Sequence, residues 1–300
     1  MRHKPLDAQV IVITGASSGI GLCTALLAAE RGAQVVLLAR SGVLDDIVAE
    51  IRAEGGRADA FRVDVSSRED LARVTADIVG KHGRIDTWVN NAGVSIYGRL
   101  DEVSEADHRR LFDVNFWGLV NGSLAALPAL KASGGVLVNL GSEVSDAVLP
   151  LLGMYAASKH AVQGFTDALR VEQAHVDGQP VSIVLIQPTA TNTPFPQNAR
   201  NYLEHEPKLP SPQIDPHRVA EAILDAACNG GRDIKVGAMA HVNTAMSKLL
   251  PRLADRLSAK QADRQGHPAP PRDPEGALFK PGERGHVYGT DDEGRVIAAD

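Results

Sequence analysis

The sequence predicts an α/β protein built on a doubly wound, mostly parallel sheet with helices on both faces. Three observations carry that expectation. Between Gln9 and Val236, short β-branched runs alternate with longer helical patterns, the signature of strand–helix–strand units. Most of the short runs are rich in Val, Ile and Leu, as strands covered on both faces are. Several helical patterns also stop at glycine, as at Arg31-Gly32 and Lys81-His82-Gly83.

Taken in order, seven strands are expected: Gln9 to Thr14, Gln34 to Ala39, Ala58 to Val63, Ile85 to Asn90, Gly135 to Leu140, Val181 to Ile186 and Asp233 to Val236. Helical periodicity places helices at Gly19 to Arg31, Asp45 to Glu54, Ser67 to Lys81, Ser104 to Lys131, Gly153 to Val176 and Pro216 to Cys228. Pro188 to Pro212 holds six prolines without apolar periodicity, which is too long for an ordinary connection. Such a segment predicts a lid or binding loop, placed at 188–214, in one domain spanning residues 1–250. A short amphipathic pattern, Leu249-Leu250 to Leu257, opens a polar C-terminal extension, 251–300, with the Pro-rich run His267-Pro-Ala-Pro-Pro-Arg-Asp-Pro. That extension reads either as disordered or as a strap over a neighbouring surface, with Leu278-Phe279 and Val287-Tyr288 as small anchors.

The 300 residues, 44% hydrophobic and 23% charged, can bury a large core without disulfide support. A net charge of -6 with no basic cluster argues against a nucleic-acid partner. Apolar runs such as Val10 to Ile13 fall far short of the roughly 20 residues of a membrane span. The basic start Met1-Arg2-His3-Lys4-Pro5 lacks a following small-residue cleavage site, so no signal peptide is expected. Two cysteines, Cys23 and Cys228, make no disulfide framework and stand in no zinc pattern, which fits a reducing, cytoplasmic setting without a bound metal.

Thr14-Gly15-Ala16-Ser17-Ser18-Gly19-Ile20-Gly21 stands where the first strand turns into a helix. Three glycines leave the backbone open to a ligand, and the helix start offers free N–H groups and a positive dipole end to a pyrophosphate. The spacing is not Gly-x-Gly-x-x-Gly, and it lacks the Gly-Lys-Ser/Thr ending of a nucleotide triphosphatase loop. At the end of the second strand, Ala39-Arg40-Ser41 presents a guanidinium where an acidic residue would repel a 2′-phosphate, which favours NADP(H) over NAD(H).

Thr-Gly-x-x-x-Gly-x-Gly near the N-terminus resembles the cofactor signature of the short-chain dehydrogenase/reductase family, a Rossmann-type fold. The resemblance covers roughly residues 6 to 240. It implies that Asn90-Asn91-Ala92-Gly93 supports the sheet and the cofactor ribose, and that Asp64, followed by Val65, meets the adenine ring. It likewise places Pro188-Thr189-Ala190-Thr191-Asn192-Thr193 beside the nicotinamide, with Thr189 standing where the family has glycine.

Tyr155-Ala156-Ala157-Ser158-Lys159 sets a phenol and an ammonium one helical turn apart, after the strand that delivers Ser142. The family's catalytic Ser, Tyr and Lys match Ser142, Tyr155 and Lys159, and its catalytic Asn matches Asn115. The chemistry agrees with that match. Reducing a ketone by hydride needs a proton donor at its oxygen, and oxidising the alcohol needs a base there. Lowering a phenol from about 10 to about 7.5 takes roughly 3.4 kcal/mol. One cation about 4 Å away at an effective dielectric near 20 supplies approximately 4 kcal/mol, so Lys159 is expected to depress Tyr155. Ser142 would hold the substrate oxygen, and Asn115 could anchor a water linking Lys159 to solvent. Glu143 either lines the site or faces water, and water is favoured. Ser142 is in no Gly-x-Ser-x-Gly elbow, which argues against a hydrolase triad.

The expected function is an NADP(H)-dependent oxidoreductase interconverting a carbonyl and a hydroxyl. A non-catalytic dinucleotide-binding regulatory protein and an NAD-dependent dehydrogenase of the same fold are the alternatives. Apolar walls at Val148 to Leu152 and Pro194-Phe195-Pro196 favour a hydrophobic substrate body. The resemblance further implies a homodimer or homotetramer formed through the two long helices.

Overall fold

The computed structural model describes residues 3–176, 181–262, 265–266, 269–282 and 285–290. The seven predicted strands form one parallel sheet: β1 (Val10–Thr14), β2 (Gln34–Ala39), β3 (Arg57–Arg62), β4 (Thr87–Asn90), β6 (Val136–Leu140), β7 (Ser182–Pro188) and β9 (Asp233–Val236). Its order is β3-β2-β1-β4-β6-β7-β9, so the winding reverses between β1 and β4. This is the Rossmann-type arrangement, and ligands of such sheets bind at the carboxyl ends beside that switch point. Val12 of β1 pairs with Val36 on one side and Trp88 on the other, which puts β1 at the centre.

Alternation along β1 divides the core. Ile11 and Ile13 pack with Val35 and Leu37 on one face, while Val10 and Val12 pack with Val36, Leu38 and Trp88 on the other. The first face is covered by α1 (Gly19–Glu30), α2 (Leu44–Ala53) and α7 (Pro216–Asn229). The second is covered by α3 (Arg68–His82), α4 (Glu105–Phe112), α5 (Gly118–Ser133) and α6 (Gly153–Val171). Local chemistry starts these helices where the sequence places them. Ser67 and Ser104 accept the backbone N–H groups of Asp70 and Asp107, and Asp215 accepts that of His217 ahead of α7.

The structure departs from the sequence reading in four places. The expected long helix Ser104 to Lys131 is interrupted by a π-helical turn, Asp113–Trp117, and α6 ends in a second one, Glu172–Val176. A small parallel pair, β5 (Ile96–Tyr97) with β8 (Arg200–Asn201), ties the lid to the loop after β4. α8 (Ala238–Leu249) leaves no strong apolar stripe in the sequence because it buries only the small residues Ala240 and Thr244. The amphipathic pattern beyond it is α9 (Pro251–Ala259).

The described part of the extension is a strap laced over the lid. Gln265 donates to the Pro150 carbonyl, Glu206 N–H to Ala269, Asn201 N–H to Pro274, and Ala277 N–H to Asn198. Met1-Arg2 of the basic start, His267-Pro268 of the Pro-rich run and residues 291–300 lie outside the described residues.

Candidate active site

At the switch point the chain passes close to itself. The hydroxyl of Thr14 donates to the Val89 carbonyl at 3.2 Å and accepts the N–H groups of Asn91 and Ala92, each at 3.0 Å. Asn91 Nδ2 returns bonds to the carbonyls of Thr14 at 2.9 Å and Gly15 at 3.1 Å. A methyl group on Gly21 would sit 2.4 Å from both Asn91 Nδ2 and the Gly15 carbonyl oxygen. Thr14 and Gly21 therefore brace the cradle from behind, whereas Gly15, Ser17, Ser18, Gly19 and Ile20 line the cleft itself.

At the end of β2, Arg40 and Ser41 line the cleft opposite Asp64 and Val65. Burial works to raise the Asp64 carboxyl, but hydrogen bonds from Ser66 and Arg110 outweigh it and hold the group below its ordinary value. Arg40 lies 3.9 Å from Asp64, and burial lowers its guanidinium. Two of its N–H groups are directed at the strap, Nη1 to the Leu278 carbonyl at 3.2 Å and Nη2 to that of Ala277 at 2.5 Å.

The opposite end of the cleft brings Ser142, Tyr155 and Lys159 together, with Asn91, Ala92 and Gly93 on the floor between. Ser142 and Tyr155 line the cleft together, and the Tyr155 ring packs on Phe195 with centroids 5.3 Å apart. Lys159 Nζ donates to the Leu140 carbonyl at 2.7 Å and lies 5.7 Å from the centre of the Tyr155 ring. Burial pushes the Tyr155 phenol up to about 12, against the opposing effect of the Ser142 hydroxyl and with help from the charge of Glu143. Burial also brings Lys159 down to about 8. The expected depression of the phenol by Lys159 is thus reversed in this arrangement, because desolvation dominates and the ammonium is directed at a main-chain carbonyl.

Asn115 stands behind the wall. Its Oδ1 accepts Val94 N–H at 2.8 Å, and its Nδ2 donates to the Val94 carbonyl at 3.0 Å and to Ser158 Oγ at 3.2 Å. It occupies the π-helical turn Asp113–Trp117, an irregularity often found at functional sites.

Pro188, Thr189, Thr191 and Thr193 line the cleft where β7 enters the lid. The threonines brace one another along the main chain, Thr191 Oγ1 donating to the Thr189 carbonyl at 2.8 Å. Glu143 corrects the sequence reading: it faces the cleft, not water. Its Oε2 accepts from Thr189 Oγ1 at 2.9 Å and Asn243 Nδ2 at 3.0 Å, and burial pushes the carboxyl above its ordinary value. Thr189, unusual at its position in the motif, is therefore the partner of Glu143. The one available signal was a carboxylate adjoining Ser142. Sequence reasoning also missed several lining residues that belong to no motif, among them Ser95, Asn198, Leu209, Ala277 and Gly282.

Among the described residues no cluster of His, Cys, Asp and Glu could hold a metal ion, and no helix is long and apolar enough to cross a membrane. Residues 9–203 match the family described as short chain dehydrogenase. An uncharacterized oxidoreductase of Bacillus subtilis (strain 168), YxnA, is 40% identical over 296 residues, spanning 97% of this chain and 83% of the relative. Among solved structures, an alcohol dehydrogenase from the archaeon Thermococcus sibiricus, complexed with 5-hydroxy-NADP, superposes with a TM-score of 0.67 at 28% identity, covering 76% of this chain and 95% of that one. A short chain dehydrogenase from Mycobacterium paratuberculosis bound to NAD gives 0.68 at 26% identity, covering 78% of this chain and 97% of that one.

Proposed function

Because this chain belongs to the short-chain dehydrogenase family and is an NAD(P)-dependent oxidoreductase, we propose that it prefers NADP(H) and interconverts a carbonyl and an alcohol with Tyr155 as acid and base. The observation that carries the reading is the convergence of Ser142, Tyr155 and Lys159 on a cleft whose other end is the glycine cradle. The cradle suits a dinucleotide, since even a methyl group at Gly15 would lie 2.7 Å from the Ala92 backbone, and the start of α1 presents N–H groups to an anion. When bound, the nicotinamide supplies or accepts the hydride.

The chain's own residues handle the proton. With its pKa pushed up to about 12, the Tyr155 phenol is protonated at neutral pH, the form that donates to a carbonyl oxygen during reduction. Ser142, which lines the same cleft, holds the same oxygen in line. Lys159, positive below about 8, places its charge beside the ring and stabilises the phenolate formed as the proton leaves. Asn115 fixes the Val94 backbone and, as an anchor for a water, connects Lys159 to solvent.

Leu149, Leu152, Phe195 and Leu209 support a substrate with an apolar body, and Glu143 is the acidic exception among them. Exposed Trp117, Leu124 and Val171, on the second π-flanked helical layer, support a homodimer or homotetramer through α5 and α6. A cytoplasmic setting belongs to the same proposal.

Titration with NADPH and NADH tests the cofactor preference, and oxidation of NADPH against a panel of apolar ketones and aldehydes tests the reaction. NADPH should bind more tightly, and Arg40→Asp should weaken it by about 2–3 kcal/mol, the scale of a charge-assisted contact. Arg40 also holds the strap, so the readout is the NADPH/NADH affinity ratio. Equal wild-type affinities would overturn the preference.

A further inference from the structure

The strap passes over one end of the cleft and on to the lid, with contacts at three places. At the adenosine end, the carbonyls of Ala277 and Leu278 accept from Arg40, and that of Leu278 also accepts from Arg110 at 3.1 Å. Leu278 is fully buried in the same apolar cluster as Val63, Val65 and Val114, which anchors the strap beside the ends of β3 and the π-helical turn. At the phosphate cradle, the His286 carbonyl accepts Gly19 N–H at 2.9 Å. At the lid, a methyl on Gly289 would stand 3.1 Å from Asn192 and Thr193, and Tyr288 reaches Asp215 at 3.4 Å.

Between these contacts the cleft stays open beneath the strap. Ala277, Pro281 and Gly282 form its roof, facing Arg40, Ser41 and Asp64. Among the described residues, two of Arg40's five guanidinium N–H groups donate to the strap, and the guanidinium also lines the cleft below it. The N–H of Ile20, next to that of Gly19 in the cradle, is a donor at the helix start.

From this placement we propose that the strap, 276–282 with 285–290, is a component of the cofactor site: a clasp that roofs the adenosine and pyrophosphate half of a bound dinucleotide and slows its release. The proposal rests on the reading of the cleft as a nicotinamide-dinucleotide site. A clasp anchored this way must lift for exchange, so its effect falls mainly on dissociation.

The test compares three proteins: wild type, a chain ending at Glu275, and Gly276→Val. Gly276 has a φ of +55° and a Cβ there would meet the Ala199 carbonyl oxygen at 2.4 Å, so valine unseats the strap without altering a residue that lines the cleft. Stopped-flow release of NADPH and of NADH should be at least about tenfold faster in both altered proteins, with Kd raised in proportion. The full chain supplies a second readout. Phe279 is 56% exposed on the strap, and chymotrypsin cleavage after it should slow when either dinucleotide saturates the protein. Unchanged release in both altered proteins, tighter binding, or cleavage accelerated by the dinucleotide would overturn the clasp, the last two pointing to a competitor for the site. If the shortened chain fails to fold, Gly276→Val and the cleavage assay decide. A wild-type protein that binds neither dinucleotide would instead refute the reading of the cleft, and the clasp with it.

Discussion

The two walls of the cleft are made of different materials. The wall of β1, α1 and β4 is backbone at close quarters, with Gly15, Gly21 and Asn91 interlocked so tightly that one methyl group would meet neighbouring atoms at 2.4 to 2.7 Å. The wall of lid and strap is joined largely through main-chain carbonyls, those of Ala277, Leu278 and His286 among them. A close approach admits few residue types, and so it leaves a motif. A carbonyl is supplied by any residue, and so it leaves none.

The largest expected effect breaks the link between the second wall and the chemistry. Tyr155 lies against Phe195 of the lid, and an aromatic packed there for stability alone would survive loss of its hydroxyl. Tyr155→Phe should fold and bind the dinucleotide as the wild type does, yet lose at least about two orders of magnitude in single-turnover hydride transfer with cofactor saturating. Near-normal transfer would leave the ring a packing element and remove the proposed acid.

A smaller effect tests the difference between the walls directly. Gly21→Ala forces a methyl against the Gly15 carbonyl oxygen and Asn91, neither of which can retreat without opening the cradle. It should cost about 2–3 kcal/mol in urea unfolding at unchanged m value. Gly282→Ala on the strap wall would meet the Asn198 side chain at 3.1 Å, and that side chain can turn away. It should cost less than about 1 kcal/mol. Equal losses would show that the strap wall is as tightly built as the cradle.

The same contrast explains what the sequence revealed. The seven strands were legible because strands buried on both faces are apolar runs, and the cradle because its glycines are irreplaceable. That Ser142, Tyr155 and Lys159 would meet in one cleft was legible by order and spacing. The π-helical turn at Asn115 was not: Phe112 to Gly118 is poor in strong helix formers, but low propensity does not say which irregularity follows, and the flanking periodicity runs on as one helix. The path of the strap was not legible either: Leu278 was recognised as a small anchor, but nothing local showed that it would be buried beside Val65 with its carbonyl turned to Arg40. Glu143 failed for a related reason. A lone carboxylate after Ser142 usually meets water, and what draws it inward is the pair Thr189 and Asn243, 46 and 100 residues away in sequence.

Glu143 also gives the smallest and most specific of the expected effects, because it faces the cleft that the two walls enclose. Burial raises its carboxyl above the ordinary value, so ionisation is disfavoured in the folded state. The folded protein is therefore relatively more stable below the unfolded-state pKa, and loses that increment as pH rises through the folded one. Glu143→Gln keeps an oxygen to accept from Thr189 and Asn243 but carries no charge. Its stability should exceed that of the wild type at neutral pH, with the difference shrinking as pH falls below the carboxylate range. The catalytic consequence has its own sign. The negative charge of Glu143 helps to raise the Tyr155 phenol, so removing it should shift the limb of alcohol oxidation that reports Tyr155 to lower pH. Paired measurements of unfolding free energy and of the oxidation pH profile check both signs. A limb that stays in place while stability rises would mean that Glu143 shapes the pocket without acting on the phenol.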